Sequence, residues 1–255
     1  ISEDQKIFQL ISRYLRKGFL WLKKGRKLMN SKEKFLGLNG VKRLSFGLNN
    51  AVYVLNIKYR TPQKNTAIRD YVIRLYPKTT DEYKIENEVS IMRQIEDLNI
   101  LVPKVYIHES NKKYLGYEFL IMDKIEGRPV INWIHTFTQD QTRAFLSDLA
   151  ENLGTIHNVR SKKYTSYYLN EKLIKKIEFS DYILNEIKTI LKRFRDLELD
   201  KEQDLDIMYV LKWFKGHLPL LNHLDGYSLV HGDLRPSNIM CHEENKHITG
   251  ILDWE

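Results

Sequence analysis

Apolar and polar residues recur along the chain at two periods, and the order in which these alternate predicts an architecture. Leu44 to Tyr59 reads as strand, turn, strand, with Val52, Val54 and Ile57 at strand-like spacing beyond Gly47-Leu48-Asn49-Asn50. Tyr71 to Tyr76 alternates cleanly, with Tyr71, Ile73 and Leu75 on one face and Val72, Arg74 and Tyr76 on the other. From Asp81 to Leu98 the period becomes helical, with apolar residues at 85, 89, 92 and 95 and Thr80 or Asp81 as cap. Val102 to Ile107 is the next strand, entered through Pro103, and Tyr117 to Met122 is a buried strand. A Gly-x-Pro break at Gly127-Arg128-Pro129 ends that run. Helical spacing then dominates: Thr138-x-x-Gln141 is a capping box ahead of Phe145, Leu149, Leu153 and Ile156, and His157 closes that helix as a structural residue. Further helices span roughly 178–195 and 203–224. The last elements are short strands around Tyr227–Val230, Ile239–Met240 and Ile248–Leu252.

Those last strands frame the chemistry. His231-Gly232-Asp233-Leu234-Arg235-Pro236-Ser237-Asn238 is followed fifteen residues later by Asp253. An aspartate, an asparagine and a second aspartate around one cleft are the inventory of a phosphoryl-transfer site. Asp233 is the candidate base. Asn238 and Asp253 are oxygen ligands of the kind Mg2+ accepts beside nucleotide phosphates. The five-position step from Asp233 to Asn238, stiffened by Pro236, keeps the base near the metal without ligating it. Arg235 is within reach of the transferring phosphate and can neutralise charge as it develops.

The octet resembles the catalytic motif of the aminoglycoside phosphotransferase and choline kinase-like family, relatives of the protein kinases. Its usual form is close to His-Gly-Asp-Leu-His-Pro-Gly-Asn, and the later Ile-Asp-Trp is matched by Leu252-Asp253-Trp254. The resemblance runs from about residue 44 to 255. It implies an α+β, two-lobed protein-kinase-like fold: a small antiparallel-sheet N-lobe with one main helix, and a mainly helical C-lobe. The expected divisions are a basic amphipathic helical segment over 1–43, a nucleotide-binding N-lobe over 44–122, an interlobe linker over 123–129 and a catalytic C-lobe over 130–255.

The resemblance also assigns residues in the expected order. Gly47, Asn49 and Asn50 fall where the family covers the nucleotide phosphates with a short loop. Arg74 stands where kinase-like folds place a phosphate-holding lysine, a substitution several members share; its planar fork can still clamp phosphate, while its bulk puts nucleotide affinity in question. Its partner should be a glutamate on the next helix. Glu86 and Glu88 compete; Glu88 lies amid the stripe of Ile85, Met92 and Ile95, where a carboxylate needs a partner, so Glu88 is expected. Asp123, Lys124 and Ile125 take, by position, the segment whose backbone meets the adenine edge. The implied cofactors are ATP, or GTP in its place, and Mg2+; the implied partners are the nucleotide and a small-molecule hydroxyl acceptor.

Composition narrows the picture. Hydrophobic residues at 42% and charged ones at 29% are those of an ordinary globular protein, and no apolar run approaches a transmembrane segment. A single cysteine, Cys241, excludes an intrachain disulfide and, with no signal-peptide pattern, implies a cytoplasmic protein. Eight scattered histidines without Cys/His spacing argue against zinc. The net charge of +8 lies ahead of the kinase-like body: residues 1–43 carry twelve Lys or Arg against three acids, and the rest balances to −1. Ser2-x-x-Gln5 opens a helix there, with Ile7, Ile11, Tyr14, Phe19 and Leu22 along an apolar side. Packing on the nucleotide lobe is the expected use of that side; contact of residues 1–43 with an anionic surface, RNA or lipid, is the sharper alternative. The balance also argues mildly against a purely cationic substrate.

The chain starts at Ile1 and stops two residues past Asp253, whereas members of the resembling family continue into helices that build the acceptor pocket. A truncated or minimal member is therefore expected. The function these features imply is transfer of the ATP γ-phosphoryl group to a hydroxyl of a small molecule. An atypical protein kinase and a catalytically weak nucleotide-binding scaffold are the alternatives; intact Asp233, Asn238 and Asp253 oppose the scaffold.

Overall fold

Strands that are apolar on both faces need cover on both sides, and the sheet that carries Arg74 obtains it from two helices. The computed structural model describes residues 3–16, 32–45, 51–77, 80, 82–161, 179–195, 201–223 and 225–254. Strands β1 (Lys34–Ser45), β2 (Ala51–Arg60), β3 (Thr66–Tyr76), β4 (Val105–Glu109) and β5 (Glu118–Asp123) form an antiparallel sheet in the order β1-β2-β3-β5-β4. The crossover between β3 and β4 is α2 (Glu82–Glu96). One face of the sheet presents Tyr53, Leu55, Ile57, Tyr71, Ile73, Leu75, Phe119 and Ile121. Helix α1 (Glu3–Arg16) closes that face with Ile7, Ile11, Tyr14 and Leu15, the i, i+4, i+7, i+8 spacing of an amphipathic stripe, while Arg13 and Arg16 stay exposed. Tyr14 sets edge-on to Phe119 at 5.1 Å and donates to Glu109 at 3.2 Å. Among the described residues, Ile7, Ile11 and Tyr14 of the expected apolar side are thus spent on the sheet; Lys17, Phe19, Leu22, Lys23, Lys24, Arg26 and Lys27 lie outside the described residues.

The N-terminal segment is not helical to residue 43. β1 begins at Lys34, ten residues before the expected strand. Gly37 and Gly40 interrupt it, and the pairing with β2 shifts register between Phe35 and Gly37, Leu38 and Gly40, and Arg43 and Ser45. Each shift breaks the two-residue alternation, so the strand leaves no periodic signal. Where the pairing is regular the pattern is readable: β2 and β3 align residue by residue from Ala51↔Leu75 to Arg60↔Thr66. On the opposite face of that pair, Arg74 and Tyr76 meet Glu88 of α2.

A small sheet of β6 (Arg128–Pro129), β9 (Ile239–Cys241) and β10 (Ile248–Ile251), in the order β10-β9-β6, has its β9 directly after the motif over 231–238. Its approach to Gly127 is too close for a side chain: a Cβ there would lie 2.1 Å from the Cys241 carbonyl oxygen, and φ is +92°. Helix α3 (Gln139–His157) begins with the expected capping box, Gln141 N–H donating to Thr138 Oγ1 and Thr138 N–H to Gln141 Oε1. Residues 1–153 with 231–255 form one compact unit, which includes the 123–129 segment, and 154–230 form another. In the second unit β7 (Arg160–Ser161) pairs with β8 (Tyr227–Ser228), and α4 (Phe179–Arg195) packs on α5 (Lys201–His217). None of the helices among the described residues is long and apolar enough to cross a membrane.

Candidate active site

Arg74 is where the two ends of the first unit meet. Its Nη1 lies 2.6 Å from Glu88 Oε1, and its Nη2 2.7 Å from Asp253 Oδ1. Glu88 is 6% exposed, so its charge depends on this partner; its other oxygen accepts the Tyr76 hydroxyl at 2.8 Å. Burial works against the Arg74 charge, but Glu88 and then Tyr76 and Asp253 outweigh it and raise its pKa, so the guanidinium stays charged. Burial and the neighbouring Glu88 push the Tyr76 phenol well up, which keeps it a donor. Glu86 is exposed, and the choice between the two glutamates falls to Glu88.

The motif residues are held by a second set of bonds. Gly232 takes φ +87°, turning the chain after His231 so that Asp233 N–H donates back to His231 Nδ1 at 3.3 Å. Nδ1 is therefore the bare nitrogen, and Nε2 carries the hydrogen donated to Leu252 O at 2.9 Å. The His231 ring also lies against Trp254, centroids 4.6 Å apart. Pro236 opens a 3-10 turn, Pro236–Asn238, that delivers Asn238. Asn238 Nδ2 donates to Asp233 O at 2.9 Å and to Asp233 Oδ2 at 3.2 Å. With its nitrogen so committed, Oδ1 is the end of the amide available to a cation; the Ser237 hydroxyl, 3.3 Å away, is its neighbour. Leu252 N–H donates to Asn238 O at 2.8 Å, which places Asp253 beside Asn238. Asp253 itself has φ +66°, a left-handed conformation that aspartate tolerates better than most residues. Arg235 Nε lies 3.1 Å from Asp233 Oδ2.

The donor set suits Mg2+, which takes few protein ligands and leaves room for water and phosphate. Among the described residues no three His, Cys, Asp or Glu side chains gather into a metal site of another kind. Of the other expected site residues, Gly47, Asn49 and Asn50 lie outside the described residues. Asp123 N–H is committed to Lys104 O at 3.0 Å and its carboxylate accepts the Tyr106 hydroxyl at 2.9 Å. Lys124 Nζ pairs with Asp70 on β3 at 3.1 Å. Ile125 packs on Gly250 so closely that a Cβ at 250 would sit 2.7 Å from it. The adjacent segment is thereby tied to the sheet that leads to Asp253.

Two residues of the arrangement escaped the sequence reading. Tyr76 is one; it shares the Arg74 face of β3, and that alternation was its signal. Asp148 is the other. From α3 its Oδ2 accepts Ile248 N–H at 2.8 Å, securing the first residue of β10. Nothing in the sequence marks it out from the other polar residues of the helix.

Residues 40–255 match the model of the phosphotransferase enzyme family. The chain belongs to that family. Among solved structures, this phosphotransferase-family chain is similar to a candidate aminoglycoside phosphotransferase from Ralstonia eutropha, with 19% identity and a TM-score of 0.58 over 96% of this chain and 64% of that one. It is also similar to an aminoglycoside phosphotransferase in ternary complex with ADP and hygromycin B, with 13% identity and a TM-score of 0.56 over 96% and 70% of the two chains. These likenesses show the fold, which is the α+β protein-kinase-like one expected. Among curated proteins it is 23% identical over 223 residues to acyl-CoA dehydrogenase family member 11 of Homo sapiens, covering 82% of this chain and 27% of that protein. It is 24% identical over 196 residues to family member 10 of Mus musculus, covering 74% and 17%. The chain spans about a quarter or less of these relatives, whose names describe proteins several times longer.

Proposed function

We propose that this chain transfers the γ-phosphoryl group of ATP, or of GTP in its place, to a hydroxyl of a small molecule. The observation that carries the reading is the Arg74 guanidinium bridging Glu88 and Asp253. An arginine so held stays charged and fixed in direction, as phosphate binding requires, and a decayed site would have no reason to keep all three partners. Relatives in fold bound to ADP with hygromycin B, and to GDP with kanamycin, support nucleotide use and a small acceptor.

Asp233 orients the acceptor hydroxyl and takes its proton as the oxygen–phosphorus bond forms and the bond to the β-phosphate oxygen breaks, releasing the nucleoside diphosphate. Asn238 holds that carboxylate through Nδ2, so the base does not have to be ordered at the moment of reaction. Arg235 stands beside the base, where its charge offsets, through space, that on the transferring group. Arg74 grips the nucleotide phosphates, with Glu88 and Tyr76 fixing its direction. Lys124 and Ile125 offer backbone to the base edge, since the Asp123 amide is already engaged. Asn238 Oδ1 and Asp253 would hold Mg2+, which when bound shields the phosphate oxygens from one another.

The test has two stages. Mg·ATP should raise the melting temperature, because a ligand that binds only the native state stabilises it. Asp233→Asn should keep that shift and lower turnover about 10²–10⁴-fold, the usual worth of general-base assistance. The acceptor for the second stage comes from a screen of sugars, aminoglycosides, choline-like alcohols and nucleosides. Absence of any shift at millimolar Mg·ATP, or near-normal turnover by Asp233→Asn, would overturn the assignment.

A further inference from the structure

We infer that the acceptor carries an oxyanion, a carboxylate or a phosphate monoester, close to the hydroxyl that is phosphorylated, and that Arg235 reads it. The inference rests on the assignment of Asp233 as base. Three observations carry it.

The first is charge. Arg235 Nε lies 3.1 Å from Asp233 Oδ2, so the negative charge of the base is cancelled where the acceptor must arrive. A cationic alcohol therefore gains little net attraction from the base.

The second is the state of the arginine. Among the described residues the only polar partner of its side chain is Asp233, bound through Nε, and the side chain is 61% exposed. Among the described residues, the end of the guanidinium that carries both terminal nitrogens is therefore open. That edge matches the two oxygens of a carboxylate or phosphate, which a lysine or histidine would contact at one point only.

The third is position. Arg235 has an extended backbone, φ −137° and ψ 160°, as the residue before Pro236 must, and the 3-10 turn that follows delivers Asn238. Arg235 is thus held at its backbone by the loop and at Nε by the base. A hydroxyl within hydrogen-bonding reach of Asp233 lies within about 6 Å of it, inside the screening length of roughly 8 Å at physiological salt. An anionic substituent next to that hydroxyl meets the open edge, and a cationic one is repelled.

The experiment loads the protein with saturating Mg·AMP-PNP, so that the γ-phosphate position is filled and cannot itself take the probe. Affinities are then measured by calorimetry for glycerol, glycerate and glycerol 3-phosphate, for ribose and ribose 5-phosphate, for choline and for inorganic phosphate. The carboxylate and phosphate arms tell the two oxyanion classes apart. At least one anionic alcohol should bind about tenfold or more tightly than its neutral counterpart, and Arg235→Gln should bring that ratio close to one. A ratio near one in the unaltered protein, a ratio that survives Arg235→Gln, choline as the tightest probe, or no binding by any alcohol overturns the inference. So does inorganic phosphate binding as tightly as the anionic alcohols, which would mark a general anion patch. Loading with Mg·AMP-PNP is monitored separately by thermal shift; its failure removes the kinase reading itself.

Discussion

Arg74 on β3 and Asp253 beyond β10 are 179 residues apart in the chain, and a guanidinium nitrogen of one lies 2.7 Å from a carboxylate oxygen of the other. The same guanidinium holds Glu88, so a single cation joins the five-stranded sheet, helix α2 and the segment that follows β10. Mg2+ bound at Asp253 would compete with Arg74 for that carboxylate. On the proposed function, nucleotide binding would be an exchange of partners, in which Arg74 would gain phosphate as it yields Asp253.

The Arg74–Glu88 pair should behave as one unit. Removing Arg74 strands the buried Glu88 carboxylate, at a cost of about 3–5 kcal/mol in stability, whereas removing Glu88 leaves the guanidinium with Asp253 and costs less. In a double-mutant cycle on urea unfolding and on ATP affinity, the two alanine changes should show a coupling of about 0.5–3 kcal/mol. Exposed Glu86→Ala should stay within about 0.5 kcal/mol of the parent. Additive behaviour of Arg74→Ala and Glu88→Ala would dissolve the pair.

Asn238→Ala and Asp253→Ala should each remove the magnesium-dependent part of the thermal shift given by ATP. They differ in a second respect. Asn238→Ala also takes two donors from Asp233, so turnover should fall even at magnesium concentrations that restore binding. Titrating Mg2+ against the ATP-induced shift separates the two roles. A shift that is unchanged in both variants would remove these residues as ligands.

Gly127→Ala and Gly154→Ala should move stability in opposite directions. At Gly127 an added methyl meets the Cys241 carbonyl in a left-handed backbone, and the loss should exceed about 1 kcal/mol. At Gly154, inside α3, a Cβ has nothing within 4 Å, and alanine should gain about 0.5–1 kcal/mol from helix propensity. Chemical denaturation of the two variants decides both; a neutral Gly127→Ala would contradict the close strand approach.

Cys241 should be slow to alkylate in the folded protein at neutral pH and fast once unfolded. Burial, with Asp148 nearby, pushes its thiol up to about 11 from 9.0. The protonated form is favoured by folding, so this contribution to stability is complete below pH 9 and is lost as pH rises through about 11. Unfolding midpoints for the parent and Cys241→Ser across that window should diverge least at the alkaline end. Rapid modification of the native protein at pH 7 would show the site to be open.

Legibility followed the regularity of the structure. β3 could be read face by face because it pairs in register with β2 and β5, and the α3 capping box because its signal is local. β1 could not, since its three register shifts scramble the alternation. Glu88 was readable over Glu86 from helical phase alone, as burial of a carboxylate demands a partner. Tyr76 and Asp148 were not singled out: alternation put the first on the Arg74 face without showing what its hydroxyl would meet, and the second bonds a backbone N–H 100 positions away.

By itself the sequence determined the chemistry: which oxygens and cations are present, in what local order, and hence that Asp233, Asn238 and Asp253 belong together. Spacing of fifteen residues or fewer along two short strands leaves them little room to separate. Only the tertiary structure decided how the charges are shared. That Arg74 reaches Asp253 as well as Glu88, that Arg235 turns back to Asp233, and that His231 is bonded at both ring nitrogens depend on distances closed by packing. Side-chain periodicity fixes which way a residue faces, but not what another segment, folded against that face, will bring to it.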